Sequence, residues 1–140
     1  MPPAEVTVLV VEDDPLTREL LEELLEPAGY RVETVGDGEA ALQRLAAGGI
    51  DLVLLDQMLP LMHGQTLCQR IRAAPSDTYV PIIVLTALAG EAHRRAALSA
   101  GADVYLTKPC DTDELLYVVG RWAQTCEQLK TSPDPATGPG

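Results

Sequence analysis

Short apolar runs alternate along the chain with longer segments in which apolar residues recur at helical spacing. The runs are rich in Val, Ile and Leu, which is typical of strands in a parallel sheet covered on both faces. We predict five strands, at residues 6–11, 30–35, 50–56, 81–86 and 103–107. Predicted helices follow them at residues 15–26, 38–47, 64–74, 89–100 and 111–129. This alternation predicts an α/β fold, a doubly wound sandwich with a parallel sheet and helices on both faces.

The length of the chain, 140 residues, suits one domain with its own core and is too short for two ordinary domains. We therefore expect a short N-terminal extension at residues 1–5 and a single domain at residues 6–129. Residues 130–140 are rich in Pro and Gly and carry little that could be buried. That composition predicts a disordered tail or a linker.

Composition and charge indicate which side chains fill the core and which classes of partner are unfavourable. Hydrophobic residues make up 46% of the chain but aromatic residues only 4%, and Phe is absent, so aliphatic side chains must fill the core. The formal net charge is -11, which repels nucleic-acid phosphates and anionic membrane surfaces. We expect no direct binding of nucleic acid and no membrane contact.

The cysteines and the hydropathy pattern indicate the compartment. Cys68, Cys110 and Cys126 are an odd, widely spaced set, which argues against a disulfide scaffold and fits a reducing environment. No apolar run approaches the roughly 18 residues that span a membrane. The sequence therefore predicts a cytoplasmic protein.

Charged and hydroxyl side chains stand where four of the predicted strands end. In a parallel sheet these ends share one edge, where open α/β sheets place their sites. Crowded carboxylates repel unless a cation intervenes, and oxygen ligands select a hard ion such as Mg²⁺. A carboxylate beside Mg²⁺, a hydroxyl and a lysine could receive a phosphoryl group. The side chains are Glu12, Asp13, Asp14, Asp56, Thr86 and Lys108.

Four segments at these strand ends resemble the receiver domain (CheY-like) of two-component response regulators. They read VLVVEDDP at residues 8–15, LVLLDQMLP at 52–60, PIIVLTA at 81–87 and YLTKP at 105–109. The similarity covers about residues 5–127, in order and at the spacing of the family. It implies a flavodoxin-like sheet with strand order 2-1-3-4-5.

The resemblance also implies a phosphorylation site. It makes Asp56 the acceptor of a phosphoryl group from a histidine kinase or a phosphotransfer protein, with Mg²⁺ as cofactor. The ion would be held by Asp13, by Asp56 and by the backbone carbonyl of Met58, while Glu12 acts through a bound water. Such a protein is a signalling phospho-acceptor and not an enzyme acting on a separate substrate.

Further positions match groups that assist and transmit the phosphorylation. Lys108 corresponds to the lysine that contacts the phosphoryl group, and its bond to Pro109 is typically cis. Thr86 corresponds to the hydroxyl beside the acceptor and, together with Tyr105, to the switch pair. The resemblance implies that phosphorylation remodels the face formed by helix 4, strand 5 and helix 5. That face would bind an output protein or a linked effector domain, or form a homodimer.

Three other interpretations remain open from the residues. A flavodoxin-like module for FMN or a nucleotide has the same fold, but the first strand–helix turn, EDDP, lacks a glycine-rich phosphate loop. A metal-dependent phosphohydrolase would need a second acid for proton transfer. A scaffold receiver that is never phosphorylated would not need the full set of reacting groups.

Overall fold

The computed structural model describes residues 6–74 and 79–131, with side chains up to residue 124. Its five strands are β1 (Thr7–Val11), β2 (Arg31–Val35), β3 (Leu52–Leu55), β4 (Ile82–Thr86) and β5 (Val104–Thr107). Its five helices are α1 (Pro15–Leu25), α2 (Gly38–Ala46), α3 (Gly64–Ala73), α4 (Glu91–Ala100) and α5 (Thr112–Thr131).

The strands form one parallel sheet in the order β2-β1-β3-β4-β5, which confirms the expected fold. β1 lies inside the sheet, where Val10 is in register with Thr34 on one side and Leu54 on the other. Because every strand runs in the same direction, the residues that follow β1, β3, β4 and β5 meet at one edge. This edge carries the candidate functional site.

The two faces of the sheet hold separate aliphatic clusters. Side chains alternate along each strand, so neighbouring residues enter opposite clusters. One cluster contains Leu9 and Val11 from β1 and packs against α2, α3 and α4. The other contains Val8 and Val10 and packs against α1 and α5. An aliphatic core therefore replaces the aromatic packing that this composition lacks.

The fifth helix packs one apolar side against the cluster that it shares with α1. Leu115 and Val119 are buried, and Trp122 packs against the same cluster while half-buried. Cys126 belongs to the part of the helix whose side chains are not described. α5 runs to Thr131, two residues beyond its expected end, and the remaining predicted tail and the extension at residues 1–5 lie outside the described residues.

Each predicted element differs from the observed one by one or two residues at one end or both, which is the ordinary uncertainty of element ends. β3 ends at Leu55, so Asp56 is the first residue of the loop after the strand. α4 starts at Glu91 because Gly90, with a φ of 115°, has a left-handed backbone that cannot continue a helix. None of the helices in the described part of the chain is long and apolar enough to cross a membrane.

Candidate functional site

Three charged side chains from three different loops meet at the carboxyl edge of the sheet. Glu12 follows β1, Asp56 follows β3 and Lys108 follows β5. The Lys108 Nζ lies 2.8 Å from Glu12 Oε1 and 3.0 Å from Asp56 Oδ2. Glu12 and Asp56 are buried, at 4% and 7% exposure. A buried carboxylate is costly unless an opposite charge or hydrogen-bond donors accompany it. One ammonium group therefore holds two buried carboxylates.

The backbone around Asp56 sets the direction of its side chain. The Asp56 amide donates to the Val11 carbonyl at 3.1 Å, which continues the sheet pairing beyond the end of β3. The Met58 amide then donates to Asp56 Oδ1 at 2.9 Å, while Oδ2 accepts from Lys108. Each oxygen of this carboxylate thus has its own donor.

The same contacts control the ionisation of Asp56. Burial by itself would raise the pKa of Asp56. Hydrogen bonds from the Met58 amide, the Lys108 ammonium and the Thr86 hydroxyl outweigh it, so the pKa of this carboxyl lies below its ordinary value. Asp56 is therefore ionised at neutral pH and can act as a nucleophile.

Glu12 and Lys108 respond differently to the same pocket. Burial raises the pKa of Glu12 above its ordinary value, although bonds from Lys108 and from the Asp14 amide act against it. For Lys108, burial would lower the pKa, but the bonds to Glu12 and Asp56 outweigh it and raise the pKa. The lysine consequently stays protonated between its two partners.

The three acids after β1 have separate environments. Glu12 turns into the pocket, and Asp13 is exposed. Asp14 caps α1 by accepting from the Thr17 amide at 3.0 Å and from the Thr17 hydroxyl at 2.6 Å. Asp14 is thus used for the helix start and does not join Glu12 and Asp56.

The donor set of this edge fits a hard cation. Among the side chains that the structure describes, at residues 6–74 and 79–124, no group of three or more His, Cys, Asp or Glu is arranged to hold a metal ion. Mg²⁺ does not require such a group, because it is usually bound by one or two carboxylates with water and phosphate in its other positions. Two buried carboxylates that share a single ammonium leave a negative pocket of oxygen ligands, which suits such an ion.

Thr86 and Tyr105 are connected through one residue of the β4–α4 loop. Thr86 is buried, and its Oγ1 accepts from the Leu88 amide at 3.3 Å. The half-buried Tyr105 donates its hydroxyl to the Leu88 carbonyl at 2.5 Å. Movement of the Thr86 hydroxyl would therefore disturb the residue that holds Tyr105. The peptide bond between Lys108 and Pro109 is cis, as the resemblance implied.

Close backbone packing behind Asp56 was not anticipated from the sequence. The Gly64 amide donates to the Gln57 carbonyl at 2.9 Å. A Cβ at Gly64 would lie 2.5 Å from Gln57 Cα and 2.9 Å from the Asp56 carbonyl oxygen. Gln57 itself is 1% exposed, and its Nε2 has no hydrogen-bond partner among the described residues. The sequence feature that could have indicated this close packing is a glycine, Gly64, at the start of a predicted helix and eight residues after Asp56.

Gly64→Ala is expected to destabilise the protein by about 1–3 kcal/mol, the usual cost of overpacking, because the added methyl group meets main-chain atoms that cannot rotate away. Urea unfolding followed by circular dichroism measures the effect. Gly120→Ala in α5 is the matched control. There a Cβ meets only the Tyr30 hydroxyl, at 3.7 Å, and removal of a helix glycine stabilises by roughly 0.5–1 kcal/mol. Equal effects of the two substitutions would contradict the packing argument.

Comparison with known proteins places this fold and site. The family model for the response regulator receiver domain matches residues 8–120. Response regulator MprA of Mycolicibacterium vanbaalenii is 44% identical over 111 residues, covering 79% of this chain and 47% of the relative. The transcriptional regulatory protein TcrA of Mycobacterium tuberculosis is 43% identical over 110 residues, covering 79% of this chain and 43% of the relative. The chain thus spans less than half the length of these relatives.

Solved structures agree with this match. A putative response regulator from Chloroflexus aurantiacus superimposes with a TM-score of 0.80 at 38% identity, over 86% of this chain and 98% of that one. The receiver domain of a sensor histidine kinase from Pseudomonas aeruginosa superimposes with a TM-score of 0.78 at 37% identity, over 86% of this chain and 99% of that one. The latter has a magnesium ion coordinated in its active-site cleft.

A parallel sheet with helices on both faces, whose carboxyl edge holds a lysine between two buried acids, defines an α/β domain with a charged site at that edge. The chain belongs to the response regulator receiver domain family of two-component signalling. This membership favours a phosphorylation-dependent receiver over an FMN or nucleotide module. Receiver domains of this family generally bind Mg²⁺ and interact with histidine kinases and linked output domains.

Proposed function

We propose that Asp56 is the phosphoryl acceptor of this receiver. The observation that carries the proposal is the environment of this carboxylate, which is buried yet held ionised by Lys108 and by the Met58 amide. In the reaction, a carboxylate oxygen attacks the phosphorus of a phosphohistidine on a histidine kinase or phosphotransfer protein. The new O–P bond forms as the P–N bond breaks, and the histidine nitrogen keeps the electron pair.

The remaining groups of the pocket assist this transfer. The protonated Lys108 places a positive charge beside the acceptor oxygen, where negative charge of the incoming group accumulates. Asp13, Asp56 and the Met58 carbonyl would hold Mg²⁺, with Glu12 acting through a bound water. The bound ion would neutralise charge on the transferring oxygens. The catalytic role falls to Lys108 and to the hydroxyl of Thr86.

The signal would leave the site through Leu88. A phosphoryl group on Asp56 offers new acceptors to the Thr86 hydroxyl. If that hydroxyl moves towards them, the Leu88 amide loses its acceptor and the loop that holds Tyr105 is released. The face formed by α4, β5 and α5 then changes shape. We propose that this face engages an output protein or a linked effector domain, or pairs with a second copy of the chain.

The test is incubation of the wild-type protein with a small-molecule phosphodonor and Mg²⁺, followed by intact mass measurement. The mass should increase by one phosphoryl group, and chelation of Mg²⁺ should suppress the increase. The product should also lose the added phosphoryl group in alkaline hydroxylamine, as acyl phosphates do. An unchanged mass in the presence of Mg²⁺ would instead indicate a scaffold receiver.

A further inference from the structure

Arg18 reaches from α1 back to the acidic loop that precedes the helix. Its Nη1 donates to the Glu12 carbonyl at 2.8 Å and to the Asp13 carbonyl at 3.2 Å. The Arg18 amide donates to the Asp14 carbonyl at 3.0 Å, so both ends of the residue are tied to the same three-residue loop. One guanidinium nitrogen therefore bridges consecutive peptide groups of the loop.

Arg18 donates to main-chain carbonyls in a loop that also carries several carboxylates. An arginine next to several carboxylates ordinarily forms a two-pronged ion pair with one of them. Here the bonds of Nη1 go to main-chain carbonyls, while Glu12 is engaged by Lys108 and by the Asp14 amide. The guanidinium thus restrains the peptide backbone that carries Glu12 and Asp13 through their main-chain carbonyls.

A glycine that directly follows the neighbouring strand leaves room for this contact. Gly36 follows β2, whose last residue, Val35, accepts a hydrogen bond from the Glu12 amide at 3.1 Å. A Cβ at Gly36 would lie 3.1 Å from Arg18 Nη1 and would push it by a few tenths of an ångström. The absence of a side chain at Gly36 therefore leaves the space that the Arg18 guanidinium occupies.

We propose that Arg18 is a positioning residue for the cation site, a role that rests on the proposed function of this edge. By fixing the carbonyls of Glu12 and Asp13, it sets the direction in which their side chains leave the loop. Asp13 is exposed, so burial does not hold its side chain in place. The restraint on the loop backbone keeps the Asp13 carboxylate at the carboxyl edge of the sheet. Without it, this exposed side chain could turn into solvent.

Charge and position predict opposite effects when Arg18 is replaced. Removal of a positive charge makes the acidic loop more negative, so by charge alone Arg18→Met should bind Mg²⁺ more tightly. Loss of a restraint on the ligands should weaken binding, by about tenfold where outer-shell partners of metal ligands are removed. The sign of the change therefore separates the two roles.

The experiment is a Mg²⁺ titration of the unphosphorylated protein, in which binding is monitored by calorimetry and by the NMR chemical shifts of the loop amides. We expect Arg18→Met to need about tenfold more Mg²⁺ for half-saturation. Arg18→Lys, which keeps a charge and a donor on a shorter side chain, should recover part of the loss. Gly36→Ala, which keeps the guanidinium but displaces it, should shift the midpoint in the same direction by less. Arg95→Met, on the exposed surface of α4, is the matched control and should leave the midpoint unchanged.

The outcomes distinguish this inference from the function on which it rests. A wild-type protein that binds no Mg²⁺ would overturn the proposed function and this role together. Wild-type binding with equal or tighter binding by Arg18→Met would overturn the positioning role alone. Thermal denaturation of each variant without Mg²⁺ checks the fold, and a lower melting temperature with an unchanged Mg²⁺ midpoint would also count against positioning.

Discussion

Asp56→Asn is expected to take up no phosphoryl group from a small phosphodonor in the presence of Mg²⁺. A neutral amide lacks the negative charge that makes the carboxylate nucleophilic, and loss of a nucleophile commonly costs a factor of roughly a thousand or more in rate. The substitution preserves shape, because the amide oxygen can still accept from Met58. Lys108 also keeps Glu12 as a partner, so the protein should remain folded.

The measurement is intact mass after timed incubation, with the melting temperature as a check on folding. Asp37→Asn is the matched control, since it makes the same chemical change in another loop at the carboxyl edge. Asp37 caps α2 through the Ala40 amide at 2.8 Å, and Asn caps helices about as well as Asp. The control should be labelled as fully as the wild type. Equal labelling of Asp56→Asn would transfer the acceptor role to another residue.

Lys108→Met is expected to slow phosphorylation by about a hundredfold to a thousandfold, the effect of removing one preorganised charge partner of a transition state. It leaves two buried carboxylates facing the same pocket without their ammonium group. Removal of one partner of a fully buried ion pair costs roughly 3–5 kcal/mol. Because the Lys108 side chain is 28% exposed and water screens the charges, we expect about 2 kcal/mol.

The loss of stability should depend on pH in a defined direction. In Lys108→Met, burial and mutual repulsion both raise the pKa of Glu12 in the folded state, because the lysine no longer opposes them. A carboxyl whose folded pKa is raised contributes stability at low pH and loses it as the pH rises through that pKa. The deficit relative to the wild type should therefore be small in mild acid and grow towards neutral pH.

Urea unfolding of both proteins at several pH values measures this deficit. Lys108→Arg retains the charge but spreads it over a planar group, so it should restore most of the stability and only part of the phosphorylation rate. If the loss of stability were the same at every pH, its cause would be the lost packing of the lysine side chain and not the unpaired carboxylates.

Much of this protein follows from its apolar pattern. Runs of Val, Ile and Leu, with helical spacing between them, determined that a parallel sheet covered on both faces would form. Parallel strands end at one edge, so the pattern also indicated that Glu12, Asp56 and Lys108 would come near each other. The order of the strands came from the resemblance of four motifs, since each apolar run is equally suited to any interior position.

Only the tertiary structure decided how the loops at that edge are used. Asp14 followed by Pro15 already indicates a helix start, but the apolar pattern does not separate Glu12, which enters the pocket, from Asp13, which is exposed. The roles of Gly64 and Arg18 were likewise decided by contacts with the main chain of other segments. A repeating pattern specifies the face and the end of a strand on which a residue lies. The direction of a loop side chain depends on partners brought close by folding, such as Lys108, which stands 96 residues from Glu12.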